Sequence, residues 1–469
     1  MSTPVQATPT KRFFVNSLTR DIELKDAILD LLDNCIDGVV RSKDLKTLEG
    51  ENVYKGFRAD IVLDEQKFEI HDNCGGIPMK IAIEEAFKFG RTNPERDAQL
   101  ETVGMYGIGM KRAVFKMGTH ILVESQHKEN RYTVEIPPEW LEDDNDWMLN
   151  LENLKLLGTS HEGTSIIVNN LHDEISDRFS QRRGFAKELR DEVGRIFALI
   201  IKKGFVVTVN DVEVSPVSFD LLQTDEIEDQ KDGIETYQLK SEYNDVMIDI
   251  AIGFYRPLAS IDEVEEENRL SRSAANAGIT IICNDRIVLF RDKSHITGWG
   301  SKPVPSFHNQ FLPIAGIVRF SSANSENLPL TTTKRGLNLS AKIYWYALEY
   351  IKEGVKKFTD FTNQWKGKES EVKSFFEKAT YQDPIKMINE NEEKVSWRAV
   401  PKGRFNEKRV NPSLPKPARR NTKVRITFYR EKEEVKLVAE YIYGDSAANP
   451  SDIGDFAFEK QYELAKEEL

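Results

Sequence analysis

Residues Asp26–Val40 read DAILDLLDNCIDGVV, a segment of helical length with polar and apolar residues on different sides. On a helix that turns by about 100° per residue, four polar side chains share one arc of about 100°, namely Asp30, Asp33, Asn34 and Asp37. This stripe is typical of an amphipathic helix whose polar face lies in water. It also fits a carboxylate and amide wall that lines a cleft, where Mg²⁺ relieves the charge repulsion.

Two glycine-rich turns follow this segment and favour the cleft. The first, DNCGG at residues 72–76, comes directly after a predicted strand, and the second, GMYGIG at residues 104–109, leads into a predicted helix. Glycines before a helix leave backbone N–H groups facing an anion, with the helix dipole behind them. The second turn lacks the GKS or GKT ending of a P-loop, and no βαβ unit surrounds it.

Two polar residues at these turns have a chemical and a bland interpretation. Asp72 is held where the backbone turns tightly, so its carboxylate can accept a hydrogen bond from the exocyclic amine of a base; a simple Asx turn is the alternative. Lys111, in the first turn of the following helix, is placed to contact phosphate, with a solvated lysine as the alternative.

Composition excludes several classes of protein. A chain of 469 residues is expected to hold two to four domains. Its three cysteines, Cys35, Cys74 and Cys283, lie far apart without metal-ligand spacing, and no stretch approaches the roughly 20 apolar residues of a membrane span. We therefore expect a cytoplasmic protein. The formal net charge of −12 argues against attraction of the whole protein to nucleic acid.

The order of the predicted elements indicates an α+β chain. Alternating apolar residues predict a hairpin at residues 58–71 and strands at residues 120–125, 131–136 and 164–169. Helical and strand-rich segments follow without a regular alternation, and a long helix begins near residue 340. This pattern predicts mixed sheets and not a βαβ repeat.

Taken in order, these motifs resemble the Bergerat-fold ATPases, the GHKL superfamily of gyrase, the ninety-kilodalton heat-shock chaperones, histidine kinases and MutL, and most closely the MORC ATPases and their bacterial relatives. The family's glutamate and asparagine on a helix correspond to Asp30 and Asn34. Its DxGxG motif corresponds to residues 72–76, its glycine-rich lid end to residues 104–109, and its Gly-Thr pair to Gly163-Thr164.

This resemblance implies roles for the adenine and metal ends of the site. Asn34 would coordinate the Mg²⁺ ion that bridges the phosphates of ATP. Asp72 would bind the adenine amine with help from Thr164, and Gly76 would let the backbone approach the base. Cys74 stands where the family has the first glycine of DxGxG, but the two glycines after it still supply the turn.

The resemblance also implies roles at the phosphate end. Gly104, Gly107 and Gly109 would wrap the triphosphate, with residues 91–104 as the lid that orders over ATP. The residue at position 30 would be the general base that orients the attacking water.

The general-base position carries a departure from the family, because Asp30 stands where glutamate is usual. Aspartate is one methylene shorter, and a displacement of roughly 1 Å at a reacting centre can cost on the order of 100-fold in rate. Slow hydrolysis, or nucleotide binding without turnover, is therefore left open.

The resemblance implies an ATP-binding α/β sandwich at residues 1–180 and a transducer-type α/β domain at residues 181–345. Transducer domains of this kind send a lysine back to the γ-phosphate. Lys334, in the loop NLPLTTTKR at residues 327–335, is the candidate, and its positive charge would stabilise the transferring phosphoryl group. The alternative is a surface basic pair.

The last part of the chain reverses the overall charge. A helical segment at residues 346–396 precedes a basic, proline-rich linker at residues 397–422, which attracts phosphate backbones unless it is only a solvated linker. Residues 423–469 read strand–helix–helix and are similar to a ribbon-helix-helix module, or form a plain dimerisation tail. The candidate DNA contacts are Arg404, Lys408, Arg409, Arg419, Arg420 and Arg425.

The function implied is that of a Mg²⁺-dependent, ATP-hydrolysing switch. Lid closure would drive dimerisation and clamp DNA or a partner, in DNA surveillance or antiviral defence. The expected partners are a second copy of the chain, double-stranded DNA and an effector encoded in the same operon, and no membrane. The alternative is a nucleotide-binding adaptor with little turnover. A histidine-kinase activity is disfavoured, because no histidine precedes Asp26.

Overall fold

The computed structural model describes residues 10–90, 97, 99–104, 107–144, 146–158, 162–224, 233–259, 276–331, 334–393, 398–399, 407–417 and 426–468. The chain forms two compact units, Met1–Lys416 and Pro417–Leu469. The first unit contains two large sheets, each with a hydrophobic core of its own.

The first sheet has eight strands within the described residues: β1 (Arg58–Leu63), β2 (Phe68–Asp72), β3 (Gly118–His127), β4 (Asn130–Ile136), β5 (Leu151–Asn153), β6 (Gly163–Leu171), β7 (Val206–Val209) and β8 (Val212–Glu213). Their spatial order is β5-β4-β3-β6-β2-β1-β7-β8. Neighbours are antiparallel except β1 and β7, which are parallel. Alternate residues of β1 are buried, because side chains of a strand point to opposite faces in turn.

Seven helices belong to this part of the described chain: α1 (Lys11–Arg20), α2 (Leu24–Ser42), α3 (Met79–Ile81), which continues as a π-helical turn at Ala82–Ala86, α4 (Gly109–Met117), α5 (Asp173–Phe179), α6 (Phe185–Ile196) and α7 (Ala198–Lys202). The apolar side of α2 is buried in the core and packs against α4. A Cβ atom at Gly38 would lie 3.0 Å from the carbonyl oxygen of Cys74, so this glycine lets α2 approach the first glycine turn.

The second sheet has seven strands within the described residues: β10 (Tyr237–Tyr243), β11 (Val246–Phe254), β12 (Gly278–Cys283), β13 (Arg286–Asp292), β14 (Ile314–Ser321), β16 (Arg398–Ala399) and β17 (Lys408–Val410). Their order is β13-β12-β14-β11-β10-β17-β16, and β12 and β14 are parallel. Two further strands, β9 (Leu221–Gln223) and β15 (Thr380–Gln382), pair separately.

Three helices lie in the chain between β14 and β16: α8 (Lys342–Gln364), α9 (Glu369–Glu377) and α10 (Pro384–Glu393). Helix α8 packs on β11, where Phe254 lies 5.0 to 5.4 Å, centroid to centroid, from the rings of Phe358, Phe361 and Phe376. Short 3-10 turns lie at Pro138–Leu141, Gln181–Arg183, His295–Thr297, Asn309–Phe311 and Ser325–Asn327. The predicted α+β class with mixed sheets is confirmed.

The first sheet extends beyond the predicted domain boundary at residue 180. Strand β7 pairs in parallel with β1, with Arg58 opposite Val206 and Ile61 opposite Val209. This pairing joins segments nearly 150 residues apart, so local sequence patterns do not reveal it. Asn210 and Asp211 form the β7–β8 turn, and both have positive φ, at 49° and 62°.

The predicted basic linker at residues 397–422 is folded in its described part. Strand β17 pairs with β10, and Arg409 Nη1 lies 2.9 Å from a carboxylate oxygen of Glu353. The indole N–H of Trp365 donates to the carbonyl oxygen of Pro415 at 3.1 Å. Lys408 and Arg409, two candidate DNA contacts, therefore belong to the second sheet and not to an extended arm.

The second unit contains α11 (Lys432–Tyr443), which ends at the left-handed Gly444, and α12 (Pro450–Glu468). A strand was predicted at residues 424–429, but residues 426–430, which include its described part, form no strand. None of the helices in the described part of the chain combines the length and the apolar character that crossing a membrane requires.

The ring cluster around Phe254 gives a test of the second core. Phe254→Ala removes a fully buried ring, so we expect the free energy of unfolding to fall by about 3–5 kcal/mol. Urea denaturation followed by circular dichroism measures the change. Trp345→Ala, at a side chain on α8 that is 56% exposed, is the control and should cost less than about 1 kcal/mol. Equal losses in the two variants would contradict the packing described.

Candidate functional site

A cavity of about 530 Å³ opens beside the polar face of α2, between the two glycine turns. The structure brings all ten residues predicted for catalysis and nucleotide binding to the lining of this cavity: Asp30, Asn34, Asp72, Gly76, Gly104, Gly107, Gly109, Lys111, Thr164 and Lys334. They come from α2, the end of β2, the two glycine turns, α4, β6 and the loop between β14 and α8. The sequence motifs therefore converge in space.

Asp72 forms one end of the cavity, at the last residue of β2. Its Oδ1 accepts hydrogen bonds from the backbone N–H of Cys74 at 2.7 Å and of Thr164 at 3.3 Å, and Cys35 Sγ lies 3.5 Å from Oδ2. Burial raises the pKa of Asp72, and the bonds that the carboxylate accepts oppose this shift only in part. The hydroxyl oxygens of Thr164 and Ser125 are 3.2 Å apart. This polar group is held rigidly at the strand end.

Two glycines beside Asp72 allow backbones to touch. Gly76 has a φ of +67°, and a Cβ atom there would lie 2.0 Å from the carbonyl oxygen of Gln126. A Cβ atom at Gly163 would lie 1.9 Å from the carbonyl oxygen of Asp72. Both distances are shorter than any real contact, so larger residues would push β2, β3 and β6 apart at this point.

The second glycine turn is bound to α2 through Asp37, a role that the sequence reasoning missed. The two carboxylate oxygens of Asp37 accept the backbone N–H groups of Val103 and Gly104, each at 2.8 Å. Burial raises the pKa of Asp37 above its usual value. Arg41, one helical turn later, donates to both carboxylate oxygens of Asp97, at 3.1 and 2.9 Å. The end of the predicted lid is thus tied to α2.

The other two carboxylates of the stripe are buried beside cations. Asp30 Oδ2 lies 2.6 Å from Arg112 Nη2, and its Oδ1 lies 3.4 Å from Lys334 Nζ. Asp33 Oδ2 lies 2.7 Å from Lys334 Nζ, and its Oδ1 lies 2.7 Å from Arg286 Nε. Neither arginine was singled out by the sequence, because Arg112 looks like an ordinary helical cation and Arg286 lies 253 residues from Asp33.

Neighbouring charges set the direction of the pKa shifts of Asp33 and Lys334. Burial acts to raise the pKa of Asp33, but the positive charges of Arg286 and Lys334 outweigh it, so the pKa lies below its ordinary value. Burial acts to lower the pKa of Lys334, but Asp33 and Asp30 outweigh it, so that pKa is raised. Lys334 is buried, which excludes the surface basic pair considered from the sequence.

The phosphate end of the cavity lies at the start of α4. Gly107 has a φ of +66°, and α4 begins at Gly109 with its first N–H groups at the cavity. Lys111 Nζ donates to the carbonyl oxygen of Ala86 at 3.0 Å. Its ammonium therefore already has a hydrogen-bond partner in the protein, beside the predicted phosphate site.

Asn34 is the exposed member of the α2 stripe and presents its side chain to the cavity. An amide oxygen suits Mg²⁺, which keeps most of its ligands as water and phosphate oxygens. The described residues contain no cluster of three or more histidine, cysteine or carboxylate groups placed to hold a metal. The donor set fits an ion brought in with a phosphate ligand.

Residues 22–165 match the family model described as histidine kinase-, DNA gyrase B- and HSP90-like ATPase. This segment is a GHKL ATP-binding domain. The match contains all four motifs of the nucleotide site, and the fold around them is the predicted Bergerat α/β sandwich. The closer similarity to MORC and MutL stays a prediction. Among curated proteins, no match to the chain was found.

Some predicted residues lie outside the described part of the chain. They are the candidate DNA contacts Arg404, Arg419, Arg420 and Arg425, and residues 91–96 and 98 of the predicted lid.

The carboxylate of Asp72 gives a direct test of the GHKL site. Asp72→Asn keeps the size of the side chain but replaces an acceptor oxygen by an NH₂ group, so the adenine amine loses its partner. We expect ATP and ADP to bind about 10- to 100-fold more weakly, as for loss of a hydrogen bond to a charged group. Isothermal titration calorimetry measures both affinities. Asp60→Asn, on the neighbouring strand β1, is the control. Equal weakening of nucleotide binding in both variants would contradict a direct contact between Asp72 and the nucleotide.

Proposed function

We propose that the chain is a Mg²⁺-dependent, ATP-hydrolysing molecular switch. The observation that carries the proposal is the position of Lys334. This lysine lies in the loop after β14 of the second sheet, yet its ammonium contacts Asp33 and Asp30 of the ATP-binding domain, at the lining of the nucleotide cavity. A nucleotide in this cavity contacts both parts of the first unit, so its γ-phosphate can influence how they fit together.

The chemistry divides among a few side chains. The amide of Asn34 would hold the Mg²⁺ ion, which would supply positive charge to the phosphates. Asp30 orients the attacking water and accepts its proton. Lys334 places a positive charge where negative charge develops on the transferring phosphoryl group. The N–H groups at the start of α4 and the glycines before it bind the phosphates.

A nucleotide-binding adaptor is the second candidate, and the contacts of Asp30 favour it. This carboxylate is shorter than the family's glutamate and is already paired with Arg112 and Lys334. A general base must have an oxygen available to a water molecule. If Asp30 keeps both cations when ATP is bound, the protein binds nucleotide and changes shape without rapid turnover.

Replacement of Asp30 distinguishes the switch from the adaptor. We expect Asp30→Asn to lower kcat at least about 100-fold while ATP binding is retained, because the amide cannot accept a proton. Steady-state Mg²⁺-dependent ATP hydrolysis, with and without duplex DNA, and calorimetric ATP binding are the two measurements. Asp44→Asn, an exposed residue just after α2, is the control. Tight ATP binding by a wild-type chain without turnover would support the adaptor.

We further propose that a second copy of the chain covers the second unit. In this unit Ala439 and Ile453 are buried, whereas large apolar side chains on both helices are exposed, among them Leu437 at 74% and Tyr441 at 84%. A module of this size rarely has a core sufficient for stability unless it associates. Residues 426–430 form no strand in the single chain. A ribbon-helix-helix arrangement would therefore need this segment of two chains to pair as strands.

An ATP-gated clamp on DNA is consistent with this arrangement. The sequence around residues 401–425 is basic, whereas the whole chain has a formal net charge of −12. By its resemblance to MORC-like ATPases, we propose a cytoplasmic role in DNA surveillance or defence against foreign DNA, with an operon-encoded effector as a further partner.

Dimerisation through the second unit is testable without nucleotide. Leu437 and Tyr441 lie one turn apart on α11, so Leu437→Glu with Tyr441→Glu places two charges on one apolar face. We expect the wild-type chain to be a dimer and the double variant a monomer in light scattering coupled to size exclusion. Lys436→Glu on the same helix is the control. A wild-type monomer that dimerises only with a non-hydrolysable ATP analogue would place the contact in the ATP-binding domain.

A further inference from the structure

The hairpin turn between β12 and β13 is buried, although such turns usually lie at the surface. Asn284, Asp285 and Arg286 are 1%, 0% and 2% exposed. The side chains of all three residues contact the part of the chain that forms the ATP-binding domain and the first sheet. A turn that extends from one sheet into the core of the other is placed to couple them.

Two of the three residues fix the turn in position. Asn284 Nδ2 donates to the carbonyl oxygen of Thr102 at 2.9 Å, next to the residues that Asp37 holds. Asp285 Oδ2 lies 2.6 Å from Lys203 Nζ, and the hydroxyl of Tyr54 donates to the same oxygen at 3.4 Å. These contacts leave the turn little freedom to move away from the first sheet.

Arg286 connects the turn to the nucleotide site. Its Nε lies 2.7 Å from Asp33 Oδ1, while Lys334 Nζ lies 2.7 Å from Asp33 Oδ2, so two cations share one buried carboxylate. Its Nη1 also donates to the carbonyl oxygen of Lys334 at 2.8 Å. Lys334 has a φ of +56°, a left-handed conformation that a lysine rarely adopts and that needs support from its surroundings.

The two cations differ in their freedom. The ammonium of Lys334 lies at the cavity, between Asp33 and Asp30. The guanidinium of Arg286 is bonded on two sides and lies 5.8 Å above the ring of Phe197. If Lys334 were the sole partner of Asp33, its departure would leave a buried carboxylate uncompensated, which is strongly unfavourable.

We propose that Arg286 is a positioning residue for Lys334: it stays as the counter-ion of Asp33 and fixes the backbone at residue 334, so that the lysine ammonium can move from Asp33 to the terminal phosphate of a bound triphosphate. This inference rests on the proposed function, since it needs ATP in the cavity. The β12–β13 turn then holds Arg286 in the position that allows the lysine to move to the phosphate.

The affinities for ATP and ADP test this role, because ADP lacks the phosphate that the lysine would reach. We expect Arg286→Gln to weaken binding of a non-hydrolysable ATP analogue at least tenfold, to leave ADP binding within about twofold, and to lower kcat. Arg286→Lys, which keeps the charge but not both hydrogen bonds, should be intermediate.

A second substitution distinguishes the counter-ion role from a loss of folding. In the double variant Asp33→Asn with Arg286→Gln, Lys334 loses the closer of its two carboxylate partners and keeps Asp30 at 3.4 Å, so binding of the ATP analogue should recover at least fivefold relative to Arg286→Gln alone. A purely structural role predicts equal weakening of ATP and ADP and no recovery, and either result would overturn the proposal.

Asp249→Asn is the control for a loss of stability. Asp249 is 3% exposed and lies 3.4 Å from Arg319, on β11 and not on the β12–β13 turn. It should lower thermal stability comparably to Arg286→Gln without changing the ratio of ATP to ADP affinity. A wild-type chain that binds ATP without hydrolysing it would refute only the hydrolysis part of the proposed function, whereas one that binds no ATP would overturn both proposals.

Discussion

The buried carboxylate of Asp33 is the constraint on which the arrangement of the first unit depends. Removing one partner from a buried ion pair typically costs about 3–5 kcal/mol, because the remaining charge is left without water or a counter-ion. Both cations that neutralise Asp33 lie more than 250 residues further along the chain, Arg286 at the first residue of β13 and Lys334 in the loop before α8. The polar face of α2 is therefore satisfied only when the second sheet is docked beside it.

The nucleotide site follows from the same helix. Within about two turns of α2, Asp30 pairs with Arg112 at the start of α4, Asp33 binds the second sheet, and Asp37 binds the N–H groups of Val103 and Gly104. Only the amide of Asn34 is exposed. The acidic side chains of α2 are thus bound to three other parts of the fold instead of being solvated. These contacts explain how an acidic stripe can be buried beside a cavity for phosphates.

Much of the site could be predicted because its chemistry is local in sequence. The turn at Asp72 and the close approach at Gly76 need particular residues in a fixed order, and Lys334 was found from its loop motif. Arg286 and the role of Asp37 could not be predicted, since their partners meet only in the folded chain. For the same reason the sequence pattern did not reveal that the first sheet continues past residue 180, or that Arg409 lies in β17 beside Glu353.

The proposed coupling of nucleotide binding to domain arrangement rests on the spacing of these contacts. Any ligand that changes the partner of Asp30 or Asp33 acts on a helix whose next turn holds the lid end through Asp37. Because linkage is reciprocal, a partner that alters the docking of the β12–β13 turn must change nucleotide affinity by the same factor by which nucleotide changes the affinity for that partner. Asn284 adds a second connection, since it donates to the carbonyl oxygen of Thr102 beside the lid end. The side chains of one helix, α2, thus contact both the cavity and the second sheet, as the proposed switch requires.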